Sequence, residues 1–148
     1  MKPMIDAQEI VHEYSRRDEE GNITQINRAL DGVNLRVKAG DFVAILGANG
    51  SGKSTFAKHL DALLLPTEGT LYVDGRDTAK PEEELSIRQT AGMVFQNPDN
   101  QMVASVVEED VGFGPENLGI ESAQIWKRVE ESLKSVGMWE YRKASPNR

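Results

Sequence analysis

Gly47-Ala48-Asn49-Gly50-Ser51-Gly52-Lys53-Ser54-Thr55 is the stretch that decides the fold. It fits G-x-x-x-x-G-K-[ST], a loop that holds the phosphates of a nucleoside triphosphate. Glycines at 47, 50 and 52 allow backbone conformations that bulkier residues resist, so N–H groups of the loop, including those of Ala48, Asn49, Ser51 and Thr55, can converge on an anion. Lys53 supplies a point charge for the β- and γ-phosphates, and Ser54 a hydroxyl for Mg²⁺. A helix beginning here adds its positive N-terminal end.

The flanks suit the loop. Upstream, Phe42-Val43-Ala44-Ile45-Leu46 is a short apolar run after the turn signal Ala39-Gly40-Asp41 and reads as a buried strand. Downstream, Phe56, Ala57, Leu60, Leu63 and Leu64 recur at helical spacing until Pro66. Strand, glycine loop and helix form the unit that the motif requires.

The chain has 148 residues, about one domain, and contains no cysteine, which excludes disulfides and Cys-based metal sites. Its N-terminus lacks an apolar stretch suited to a signal peptide, and no run approaches bilayer-spanning length. The net charge of −7 disfavours broad attachment to nucleic acid or to anionic lipid. A cytoplasmic location is the expectation, with any membrane role running through a protein partner.

Further strands are expected at Ile10–Tyr14 and Val33–Val37, the ends of a long hairpin turned at Gly21-Asn22. Thr70–Val73, ended by Asp74-Gly75, reads as another strand and turn, and Met93–Phe95 as a second short buried strand. A short helix is expected over Pro81–Gln89, with Pro in its first turn. Val106–Leu118 is mixed in pattern, with Glu108, Glu109 and Asp110 as helix-start charges. Ile125, Val129, Leu133 and Val136 mark one face of an amphipathic helix that Gly137 would cap.

Two longer stretches carry a family resemblance. They are Phe95-Gln96-Asn97-Pro98-Asp99-Asn100-Gln101 and the run from Glu109 to Gly119, Glu-Asp-Val-Gly-Phe-Gly-Pro-Glu-Asn-Leu-Gly. With the phosphate loop they resemble the ATP-binding subunit of ABC transporters, and within these the energy-coupling-factor type that includes cobalt and vitamin importers. The resemblance runs from about Ile10 to Arg148. It implies an α/β fold, a P-loop NTPase (RecA-like) core with an N-terminal antiparallel β part. Residues of about 1–97 would form the β part and core, and about 98–148 the Q-loop and the start of the helical subdomain.

The resemblance also assigns residues. Gln96 falls at the Q-loop glutamine, whose amide can meet both Mg²⁺ and the attacking water. Together with Lys53 it is the expected catalytic set, and with Ser54 the expected metal set. Tyr14 occupies the place of the aromatic that stacks on adenine, where base stacking contributes on the order of 1–3 kcal/mol. ATP and Mg²⁺ are the implied cofactors. The implied partners are a second ATPase subunit, an integral membrane scaffold and a substrate-binding membrane component, at the cytoplasmic face of the membrane. His12, on the strand face of Tyr14, and His59 read as structural. Trp126 and Trp139 read as cover for a core or interface.

Some family features are missing. Leu71-Tyr72-Val73-Asp74 superficially resembles a Walker B strand, but Gly75 follows where the family has a catalytic Glu, so a turn is expected there. The signature Leu-Ser-Gly-Gly-Gln, which follows in the family, does not occur, nor does the switch histidine. The sequence therefore reads as an N-terminal part of the ATPase, able to bind Mg-ATP but not to turn it over alone. The alternatives are a non-catalytic nucleotide-binding module and a P-loop GTPase or kinase. A GTPase would need Asn-Lys-x-Asp, which is absent, and Asp18-Glu19-Glu20-Gly21 fits D-x-x-G only in the wrong order.

Overall fold

The structure, a computed structural model, describes residues 2–147. Arg148, where the resemblance stops, lies outside the described residues. The chain divides into two compact units, one up to Met93 and one from Val94.

In the first unit β1 (Ile5–Arg17) and β2 (Ile23–Val37) form an antiparallel hairpin. Both exceed the segments that the apolar residues mark, because backbone pairing continues through polar residues as far as Arg17 opposite Ile23. Gly21 takes φ 87° at the expected turn, and the Asp18 carboxylate accepts the N–H groups of Glu20 and Asn22. β3 (Glu68–Val73) pairs antiparallel with β1, and β4 (Arg76–Asp77) completes the order β2-β1-β3-β4. Asp74 and Gly75 both have positive φ, 49° and 73°, as a tight Asp-Gly hairpin turn requires. Asp74 therefore faces Arg76 and Lys2 at a sheet margin and does not end a parallel core strand.

A bulge in β1 fixes the position of β3. Pairing slips between Gln8 and Val11, and Glu9 there has φ 50°. Asn34 holds both ends of Glu9: its Oδ1 accepts the Glu9 N–H (2.9 Å) and its Nδ2 donates to the carboxylate (2.7 Å). The bulged carbonyls turn onto Gly69, where a Cβ would lie 2.2 Å from the Glu9 oxygen. With φ 87° as well, Gly69 has no substitute.

The core joins Ala7, Ile10, Leu30, Leu71 and Val73 of the sheet to Phe56, Ala62 and Ile87. Each larger side chain contributes about 1.5–3 kcal/mol by burial. Ile87 comes from α2 (Glu84–Thr90), which follows a 3₁₀ turn at Pro81–Glu83, close to the expected helix. Phe56 comes from α1 (Lys53–His59), which ends before the predicted stop at Pro66. The cause is Asp61, whose carboxylate accepts the Leu63 N–H at 3.1 Å, while Ala62 turns to φ 61°. Leu63 is consequently exposed.

Two predicted strands do not form. Phe42–Leu46 and Met93–Phe95 enter no ladder, and Phe42 is 98% and Val94 82% exposed. A strand exists through its neighbours' backbone groups, and the described sheet, ordered β2-β1-β3-β4, includes neither run.

The second unit holds α3 (Val107–Asn117) and α4 (Ser122–Ser135). They approach at Gly112, where a Cβ would meet Ile125 at 3.4 Å and Val129 at 3.5 Å. Val129 and Leu133 are buried as expected, whereas Val136 lies past the helix end and is exposed. Gly137 caps α4 with φ 71°; its N–H donates to the Lys134 carbonyl and that of Met138 to the Leu133 carbonyl. The first N–H groups of α3, at Val107 and Glu108, donate to the carbonyls of Ala144 and Arg142. Glu108 also pairs with Lys143. Asp110 does more than favour a dipole: its carboxylate accepts the N–H groups of Val103 and Ala104. Trp139 lies under the Arg142 guanidinium at 4.4 Å, and Trp126 is half exposed.

Gly69→Ala should destabilise the first unit by at least about 2 kcal/mol, since both its φ and the facing carbonyls exclude a side chain. Chemical denaturation measures this; a loss below about 0.5 kcal/mol would show that the bulge does not constrain β3.

Candidate functional site

The phosphate loop is seated by its last glycine. Gly52 has φ 101°, and a Cβ there would lie 2.6 Å from the Ala29 carbonyl of β2. The chain must pass this close for α1 to start where it does, and the Phe56 N–H donates to the Gly52 carbonyl to open the helix. Gly50 has φ 79°, and the Ser51 N–H donates to the Ala48 carbonyl (3.1 Å), closing the tight turn of the loop. Gly47 is needed for a different reason: its Cβ would lie 2.5 Å from Ser51 Oγ.

This geometry leaves donors available. Among the described residues no acceptor takes the N–H groups of Gly52, Lys53 or Ser54. Such orphan donors at a helix start seek an anion or water. Lys53 Nζ folds back over the loop, donating to the carbonyls of Gly47 (2.6 Å) and Ala48 (2.7 Å). The charge is thus held against the loop itself, where a phosphate would share it. Ser54 is exposed, with its hydroxyl free to meet a cation held by that phosphate.

Tyr14 reaches the same loop from β1. Its hydroxyl lies 3.2 Å from Thr55 Oγ1, and the residue is 41% exposed. A ring that merely covered the core would be buried. Its inner edge meets the His12 ring, with centroids 4.7 Å apart and planes at 71°.

Behind Tyr14 lies a pair that the sequence reading left as two separate structural histidines. His59 is fully buried and His12 nearly so. His59 Nδ1 is 2.7 Å from the Thr55 carbonyl and must donate to it, which leaves Nε2 bare in the neutral ring. That Nε2 lies 3.1 Å from His12 Nδ1, whose N–H is shared with the Leu65 carbonyl. Burial holds the His59 pKa below its ordinary value of about 6.5, and the facing His12 lowers it further. The signal was present as a spacing of four between Thr55 and His59, one helical turn. No local rule pairs His59 with a residue 47 positions earlier.

Gln96 belongs to the second unit and is exposed, on the stretch before a 3₁₀ turn at Pro98–Gln101. The Gln101 side chain accepts the Phe95 N–H at 2.7 Å, which shapes that loop. The buried strand expected before Gln96 is not formed. No group of three or more acidic or histidine side chains that could hold a metal occurs among the described residues.

Comparison with known proteins shows the family and the fold. The ABC transporter family profile matches residues 30–148. The chain is 54% identical over 144 residues to the energy-coupling factor transporter ATP-binding protein EcfA1 of Clostridium novyi (strain NT), covering 97% of this chain and 50% of that protein. Against the protein of the same name from Symbiobacterium thermophilum, identity is 56% over 145 residues, covering 98% and 50%. The fold matches cbiO1 from Clostridium perfringens, part of the ABC transporter complex cbiONQ, with TM-score 0.78 and 31% identity over 98% of this chain and 55% of that one. It also matches the dimeric ATP-binding cassette MJ0796 bound to ADP and Pi, with TM-score 0.76 and 31% identity over 97% and 62%. The chain spans about half the length of the curated relatives it matches. No helix among the described residues is long and apolar enough to cross a membrane.

The His59 shift sets a direction for stability. A histidine held below its unfolded pKa stabilises the fold above about pH 6.5, and that contribution is lost as pH falls below it, with a slope of at most about 1.4 kcal/mol per unit. Between pH 7.5 and 5.5 the thermal midpoint should fall further for the native chain than for His59→Gln. Parallel curves would contradict the assignment.

Proposed function

The chain belongs to the ABC transporter family, and from that premise we propose that it carries the nucleotide-binding part of an ATP-hydrolysing subunit that powers uptake of a vitamin or metal ion in an energy-coupling-factor importer. The observation that carries the reading is the contact between Tyr14 and Thr55, which sets an exposed aromatic ring beside a seated phosphate loop. A nucleotide has the same two parts, a flat base and a polyanion. Gly47 to Thr55 would hold the phosphates, Lys53 would neutralise their charge, and Tyr14 would stack on the base.

Ser54 would hold Mg²⁺ together with phosphate oxygens, and Gln96 keeps the metal and water role that the family resemblance implies for it. Residues of about 1–97 act as the β part and core, and about 98–148 as the Q-loop and the start of the helical subdomain. Phosphoryl transfer of this kind is mostly positioning and charge stabilisation, so cradle and cation come before any general base. The base, the signature motif and the switch histidine would come from sequence corresponding to the remaining half of the relatives. The same sequence would supply strand partners for Phe42–Leu46. In the assembled transporter a second ATPase subunit completes the site, and membrane components choose the solute. The exposed Gln96 loop is suited to meeting them. These contacts would hold the chain at the cytoplasmic face of the membrane.

Mg-ATP should raise the thermal midpoint of the chain. Lys53→Ala should remove about 1.5–3 kcal/mol of binding, roughly tenfold to a hundredfold in Kd, and an unchanged midpoint shift in that variant would refute the phosphate role. The chain alone should show no steady ATP turnover; sustained phosphate release by a purified sample would contradict the division of labour proposed here.

A further inference from the structure

We propose that His12 and His59 are positioning residues that hold the base platform, Tyr14, in register with the phosphate loop. The inference rests on the nucleotide-site reading above and goes one step behind it. Four side chains close a circuit between β1 and α1. The Tyr14 ring meets the His12 ring edge-on at 4.7 Å. His12 Nδ1 lies 3.1 Å from His59 Nε2, and His59 Nδ1 donates to the Thr55 carbonyl at 2.7 Å. Thr55 Oγ1 returns to the Tyr14 hydroxyl at 3.2 Å.

Each link has a definite direction. Thr55 and Leu65 offer carbonyl oxygens, so His59 Nδ1 and His12 Nδ1 must carry the protons. His59 Nε2 is then an acceptor, and the His12 proton is shared between it and the Leu65 oxygen. Two apolar side chains could fill this buried space without desolvating two imidazoles. What the imidazoles add is direction: they fasten the main chain of Thr55, inside the phosphate loop, to the strand that carries Tyr14. α1 is only about two turns long (Lys53–His59); Phe56 anchors it to the core, and His59, its other buried side chain, ties it to the strand that carries Tyr14. A base stacked on Tyr14 and phosphates in the loop belong to one molecule. An error in the spacing between them therefore costs affinity for the whole nucleotide but not for its polyphosphate.

Calorimetric titration of the whole chain with MgATP and with magnesium tripolyphosphate tests this. The native chain should bind MgATP more tightly. His12→Phe keeps an aromatic edge against Tyr14 but cannot donate to His59. It should cut the advantage of ATP over tripolyphosphate by about threefold to tenfold, part of a stacking contribution, while tripolyphosphate affinity stays within about twofold. His59→Leu should behave likewise; if it fails to bind tripolyphosphate for want of folding, His12→Phe decides alone. Adding His12→Phe to Tyr14→Ala should lower the ratio no further than Tyr14→Ala does. A ratio unchanged in His12→Phe, or equal losses for both ligands, would overturn the proposal even if the thermal midpoint drops. A native chain with no preference for ATP would instead overturn the platform reading of Tyr14 beneath it.

Discussion

At Gly52 the backbone passes so close to the Ala29 carbonyl that no side chain fits, and its φ of 101° is one that other residues resist. The rest of the site follows from that approach. The loop is pressed onto β2, the Gly52 carbonyl opens α1, and the N–H groups of Lys53 and Ser54 find no acceptor among the described residues. Phe56, in the first turns of the helix, then enters the core against Leu30 of the same strand. A single missing Cβ thus connects the position of the sheet to the direction of the donors that would receive a phosphate.

What the sequence made legible was local. The phosphate loop, the turns at Gly21 and Asp74-Gly75, the short helix after Pro81 and the Gly137 cap each depend on residues a few positions apart. The structure forms all of them. Misreadings arose where a side-chain contact or a distant group overrides the apolar pattern. Asp61 ends α1 early through its own side chain, overriding an apolar pattern that extends to Leu64. Phe42–Leu46 has the composition of a buried strand, yet burial requires neighbours that the pattern cannot supply. The start of α3 is satisfied by carbonyls of Arg142 and Ala144, far along the chain.

The candidate site divides in the same way. Lys53, Ser54 and the glycines were identified by spacing, and Tyr14 and Gln96 by resemblance. The structure brings Tyr14 to the loop within one unit and gives Gln96 an exposed position in the other. The contact between His12 and His59 was not legible, because it joins a strand to a helix through two side chains that are individually unremarkable. Net charge gave a different kind of information: at −7 the surface is ill suited to hold a polyanion by general attraction. Binding must then be concentrated where Lys53 and the loop donors meet.

Amide hydrogen exchange with and without MgATP tests that claim most directly. The account predicts strong new protection confined to Gly50–Thr55 and the end of β1 around Tyr14, with the ladder between β1 and β3 unchanged. Absence of protection at Gly50–Thr55 under saturating MgATP, or protection spread evenly over the chain, would contradict it.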